Sequence, residues 1–149
     1  MLEEVKKILV PVDFSDNSKK VFQAAVNVAT KCGAKLVCIF IVQSFEDYSG
    51  FFVPHMPIIQ FQEEMLSSAE KKMAEFVEDN LPKGMEGGSK VIVGDVGEEI
   101  VAYAAKEKID MIVMGTHGYK GLERVLFGSV AEQVVKTAPC PVLTVNPCR

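Results

Sequence analysis

Short apolar runs alternate with longer amphipathic stretches along most of the chain. Ile8 to Val12 is of buried-strand type, and Ser15 then opens a helix to about Cys32, with Gly33 as its stop. Val21, Ala25, Val28 and Cys32 fall on one stripe of that helix, which predicts the face turned to a sheet. Leu36 to Val42 is apolar almost throughout, as a strand covered by helices on both faces must be. A second helix is expected from about Phe61 to Asn80, burying Leu66, Ala69, Met73, Phe76 and Val77. Pro82, Gly84 and Gly87-Gly88 mark the turn after it. Lys90 to Val93 reads as the third strand. Asp95 and Glu98 then have capping-box spacing ahead of a helix with Ile100, Val101, Ala104 and Ala105 on its inner face. Met111 to Met114, a helix from Ser129 to about Thr137, and Val142 to Val145 complete the pattern. Strands that alternate with helices in this way predict an open α/β sheet with right-handed crossovers.

The periodicity fails between about Gln43 and Ile59, where Phe45, Tyr48, Phe51, Phe52, Val53, Met56, Ile58 and Ile59 surround prolines 54 and 57. A connection so long and so apolar is expected to lie against something. Its own domain, a second subunit or partner, and a bound ligand are the three candidates.

The chemistry concentrates after the fourth strand, in Gly115-Thr116-His117-Gly118 and, after nine intervening residues, Gly128-Ser129. A strand ends in glycines and more glycine leads into a helix. Glycine lets another molecule approach the backbone, and the first turn of a helix offers unpaired N–H groups at the positive end of its dipole, so an anion, most commonly phosphate, is the natural occupant. Ser129 and Glu132 have the spacing of a capping box, which by itself would be only structural. The spacing is neither that of a Walker A loop nor that of a Rossmann fingerprint, and neither occurs elsewhere in the chain.

At 149 residues, with 48% hydrophobic and 24% charged residues, the chain suits one domain spanning 1–149 with a proper core. Its net charge of −4 argues against a sequence-independent nucleic-acid binder. The charged N-terminus lacks the layout of a signal peptide, and no apolar run approaches the roughly 20 residues that span a bilayer, so neither secretion nor a membrane partner is expected. Cys32, Cys38, Cys140 and Cys148 form no C-x-x-C pair and are expected to be reduced thiols, with no metal site of their own.

Gly115-x2-Gly118-x9-Gly128-Ser129 stands between two further motifs, Ile8-Leu9-Val10-Pro11-Val12-Asp13-Phe14-Ser15 and Ala138-Pro139-Cys140-Pro141-Val142-Leu143-Thr144-Val145. Together they resemble the universal stress protein family, specifically its ATP-binding branch, over essentially the whole chain. The resemblance implies a parallel five-stranded sheet in the order 3-2-1-4-5, with helices on both faces and a ligand crevice where strands 1 and 4 diverge. It also implies a site for ATP, or AMP or ADP, at Pro11, Val12, Asp13, Ile41, Met114, Gly115, His117, Gly118, Gly128, Ser129 and Val130. Mg2+ or Mn2+ is expected on the phosphates rather than on protein ligands.

From the residues alone Asp13 reads as a turn or cap aspartate; the resemblance puts it on the adenosine side. Residue 41 is implied as a backbone contact to adenine. His117 is a solvated or turn residue, a phosphate contact or a general base. The last needs an orienting partner that the sequence does not name, so no catalytic residue is assigned. Lys120 and Arg124 are candidates to neutralise phosphate. The function implied is a cytoplasmic, nucleotide-dependent regulatory or interaction module of the stress response, with a protein partner of unknown identity and a homodimer through the C-terminal strand. The alternative is a slow ATP hydrolase or adenylyl-transfer enzyme of the wider adenine-nucleotide superfamily. The ATP pyrophosphatases there carry Ser-Gly-Gly-x-Asp-Ser after strand one, where this chain has Val12-Asp13-Phe14-Ser15-Asp16. A flavodoxin-like electron carrier fits the fold, but here the long glycine loop follows strand four instead of strand one.

Overall fold

The structure, a computed structural model, describes residues 4–44, 58–116 and 128–148. Among them five strands and four helices alternate: β1 (Lys7–Pro11), α1 (Asp16–Cys32), β2 (Lys35–Gln43), α2 (Ile58–Asn80), β3 (Gly87–Gly94), α3 (Val96–Lys106), β4 (Met111–Gly115), α4 (Ser129–Thr137) and β5 (Val142–Val145). The strands form one sheet in the order β3-β2-β1-β4-β5, and every pairing is parallel. β1 is central, with Ile8 in register with Leu36 on one side and Met111 on the other.

The pleat of the strands sorts the core into two clusters. Ile8, Val10, Leu36, Cys38 and Val113 point to the face that carries Val21, Phe22 and Ala25 of α1 and Met73 and Phe76 of α2. Leu9, Ile39, Ile41, Ile112 and Met114 point to the other, against Ile100 and Ala104 of α3 and Ala131 and Val134 of α4. Helices therefore cover both faces, which is why β2 reads as an unbroken apolar run. Burial pushes the Cys38 thiol up to about 12, so this cysteine stays protonated, while Cys32 and Cys148 are exposed. Among the described residues no helix is long and apolar enough to cross a membrane.

Four details differ from the sequence pattern. The buried face of α1 is Ser18, Val21, Phe22, Ala25 and Ala29, and Cys32 is exposed at the last turn. On α3 Gly97, Ile100 and Ala104 are buried while Ala105 is exposed. Gly87 and Gly88 lie in β3, because pairing with Leu36 and Val37 of β2 extends the strand through them. A Cβ at Gly87 would come within 3.1 Å of the Leu36 carbonyl oxygen, so the close approach of the two backbones is what glycine permits there. The fourth, at the head of α4, belongs to the crevice. The apolar connection read between Gln43 and Ile59 falls largely outside the described residues, and α2 opens at Ile58.

Candidate functional site

From β1 the chain moves to β2 on one side, and from β4 to β5 on the other. The carboxyl ends of β1 and β4 are therefore where consecutive connections part, the place at which open α/β sheets hold ligands. A crevice of about 290 Å3 lies there. Its floor is Pro11, Val12 and Asp13 at the end of β1 and Met114, Gly115 and Thr116 at the end of β4. Asn17, Ser18 and Val21 of α1 and Val96 and Ile100 of α3 form the walls, and Gly128, Ser129, Val130 and Ala131 at the head of α4 close it. Among these lining residues Asp13 alone is charged. An apolar lining with a few fixed polar groups is the usual composition of a small-molecule site.

The β1–α1 junction is tied together by its own side chains. Ser15 caps α1, its hydroxyl accepting from the Ser18 N–H. The same hydroxyl donates to Asp13 Oδ1, which also accepts from the Ser15 N–H at 3.0 Å and from Ser18 Oγ at 2.8 Å. Ser18 Oγ in turn accepts from the Asp13 N–H at 2.8 Å. Phe14, between these residues, has φ 64°, a left-handed conformation uncommon for a residue with a bulky side chain. Its ring holds it there, 4.6 Å from the Phe40 ring and 6.0 Å from that of Phe76.

The β4–α4 junction is built differently. Gly128 is the N-cap of α4 and supplies no side-chain cap; its N–H donates to the Thr116 carbonyl at 2.9 Å, and the Thr116 N–H to the Val145 carbonyl. The Ser129–Glu132 capping box expected from spacing does not form. The helix starts one residue earlier than that motif requires, and the Glu132 carboxylate pairs with Lys136 at 2.8 Å, which holds it below the usual carboxylate range. Gly128 has φ −65°, open to any residue, and among the described residues a Cβ there would meet only the Thr116 carbonyl oxygen at 3.4 Å, an ordinary contact.

The structure brings Pro11, Val12, Asp13, Met114, Gly115, Gly128, Ser129 and Val130 together around one crevice. Ile41 is buried in β2 within the second cluster and is not among the lining residues. His117, Gly118, Lys120 and Arg124 lie outside the described residues. Sequence reasoning missed the walls from α1 and α3. The signal for Ser18 was its place three residues after the cap on a face that otherwise buries apolar residues. Among the described residues no cluster of three His, Cys, Asp or Glu is placed to hold a metal ion.

Comparison with known proteins agrees with this architecture. The family model described as the universal stress protein family matches residues 4–146. Universal stress protein MJ0531 of Methanocaldococcus jannaschii is 39% identical over 146 residues, covering 95% of this chain and 82% of its own. The solved structure of MJ0577, a universal stress protein of the same organism, is 28% identical and matches with a TM-score of 0.80 over 95% of each chain. The universal stress protein from Archaeoglobus fulgidus, solved in complex with dAMP, shares the fold at 23% identity and a TM-score of 0.68 over 98% of this chain and 100% of its own. With a family match that runs from before β1 to beyond β5, the chain belongs to the universal stress protein family.

Proposed function

We propose that this universal stress protein belongs to the ATP-binding branch: a cytoplasmic, one-domain, nucleotide-dependent regulatory or interaction module that takes ATP, or AMP or ADP, into the crevice between β1 and β4. The phosphates lie toward Gly128, Ser129 and Val130, completed by His117 and Gly118, and the adenosine lies toward Val12 and Asp13, with the Ile41 backbone as a further contact. The observation that carries this is the head of α4, which opens without a side-chain cap onto the crevice. Its first-turn N–H groups point along the helix axis, where an anion is stabilised by them and by the dipole. Among the described residues glycine at 128 is required neither by φ nor by a close neighbour, which suits a position kept bare for a ligand.

No basic side chain lines the described crevice, so the charge of a triphosphate calls for a counter-ion. Mg2+ or Mn2+ fits as an ion carried in on the phosphates, because hard cations of this kind are bound through substrate phosphates and water with only one or two protein oxygens. Thr116 and Ser129, which line the β4–α4 side, would offer such an ion a side-chain oxygen.

The binding test is unfolding with and without Mg-ATP. At a hundredfold excess over the dissociation constant the nucleotide adds about 2.7 kcal/mol to the unfolding free energy; an unchanged melting curve at millimolar Mg-ATP defeats the proposal. The subunit contact of the proposed homodimer is β5, an edge strand whose Leu143 is 40% exposed. Val142→Pro removes a backbone donor from that edge, and sedimentation should show a folded protein shifted toward monomer. A variant that stays fully dimeric places the interface elsewhere.

A further inference from the structure

Asp13 is held more firmly than a loop carboxylate needs to be. Three donors, the Ser15 N–H, the Ser15 hydroxyl and the Ser18 hydroxyl, converge on Oδ1, and among the described residues the bonds to this carboxylate all fall on that oxygen. The Ser18 hydroxyl also accepts from the Asp13 N–H, so one side chain fixes both the backbone and the carboxylate of the same residue. Ser18 is only 6% exposed, the one buried polar residue among those described, and it sits in the first turn of α1. An aspartate carboxyl otherwise turns broadly about its last torsion. With Oδ1 saturated, the rotation is stopped before any ligand arrives, and the ordering cost on binding falls.

We infer that Ser18, together with Ser15, is a positioning residue for ligand recognition: it turns Asp13 so that the second carboxylate oxygen serves the crevice as an acceptor. Such an oxygen takes a hydroxyl or amino donor of the nucleoside half and repels phosphate, so the serine pair sets which end of the nucleotide lies at β1. The inference rests on the nucleotide-binding proposal above.

The test is a double-mutant cycle on Mg-ATP affinity, read by calorimetry in the full-length protein. Ser18→Ala is expected to weaken binding about tenfold, the worth of a hydrogen bond to a charged group. Introduced into an Asp13→Ala background, the same change should produce no further loss, because Ser18 acts only through Asp13. Ser18→Thr restores the hydroxyl and should bind more tightly than Ser18→Val, its match in shape, which decides the matter even if Ser18→Ala does not fold. Equal affinities for the Thr and Val variants, an unchanged affinity in Ser18→Ala, or the same loss in both backgrounds overturns the inference while leaving nucleotide binding intact. A native protein that ignores Mg-ATP overturns the nucleotide proposal and this inference with it.

Discussion

The two junctions that flank the crevice occupy equivalent places, each between a central strand and the helix that follows, and they solve the same problem in opposite ways. After β1 the helix end is satisfied internally, by Ser15 on the Ser18 N–H and by Asp13 Oδ1 on three donors. After β4 the helix begins at a glycine with no side chain to offer. A closed junction presents a fixed carboxylate and an open one presents first-turn N–H groups that no side chain caps among the described residues, so a crevice between them is polarised from acceptor to donor. A nucleotide, with hydroxyl and amino donors at one end and phosphates at the other, has the matching polarity.

The contrast can be broken most sharply by Gly128→Asp, which gives the open junction the chemistry of the closed one. Aspartate is a good N-cap, so stability should rise by a few tenths of a kcal/mol over glycine. Its carboxylate takes the place of the ligand's anion, and ATP affinity should fall roughly hundredfold, about 2.8 kcal/mol by calorimetry. Opening the closed junction has the next largest effect: Asp13→Ala strands two hydroxyls and an N–H, and urea unfolding should show a loss of roughly 2 kcal/mol. Ser15→Ala removes one cap and should cost about 1 kcal/mol in the same measurement. The smallest change is expected for Ser129→Ala, within about 0.5 kcal/mol of the native protein, because no cap is lost there. A loss as large as that of Ser15→Ala would mean that the two junctions are alike.

Much of the fold was legible because a doubly covered sheet writes its strands as apolar runs: β5 spans the predicted residues, and β1, β2 and β4 differ by a residue at their ends. The strand order came from family resemblance, since periodicity carries no information about which strands are neighbours. Errors arose where tertiary packing overrode a local rule. The stripe on α1 was drawn through Val28 and Cys32, when the helix turns Phe22 and Ala29 inward to meet the sheet and Phe76. Gly87-Gly88 read as a turn because their partners Leu36 and Val37 in β2 lie 51 residues back in the chain, beyond the reach of local signals. At the site, motif reading found the ends of β1 and β4 but not the walls from α1 and α3, whose Val21, Val96 and Ile100 look like any core residue. The positive φ of Phe14 had no signal at all, as glycine or asparagine is the usual occupant.

The sheet ends on one side in β5 and on the other in β3, and the first four residues of β3 are Gly87, Gly88, Ser89 and Lys90, all exposed. Glycine pairs poorly, and an edge lysine resists burial beneath a second backbone. If both edges were receptive, β5 of one molecule would add to β3 of the next, a head-to-tail contact that grows into a fibre unless its rotation closes a ring. With β3 unreceptive, polymerisation has no second end from which to continue. A sheet of this design can leave β5 as an open edge without its opposite edge extending a filament.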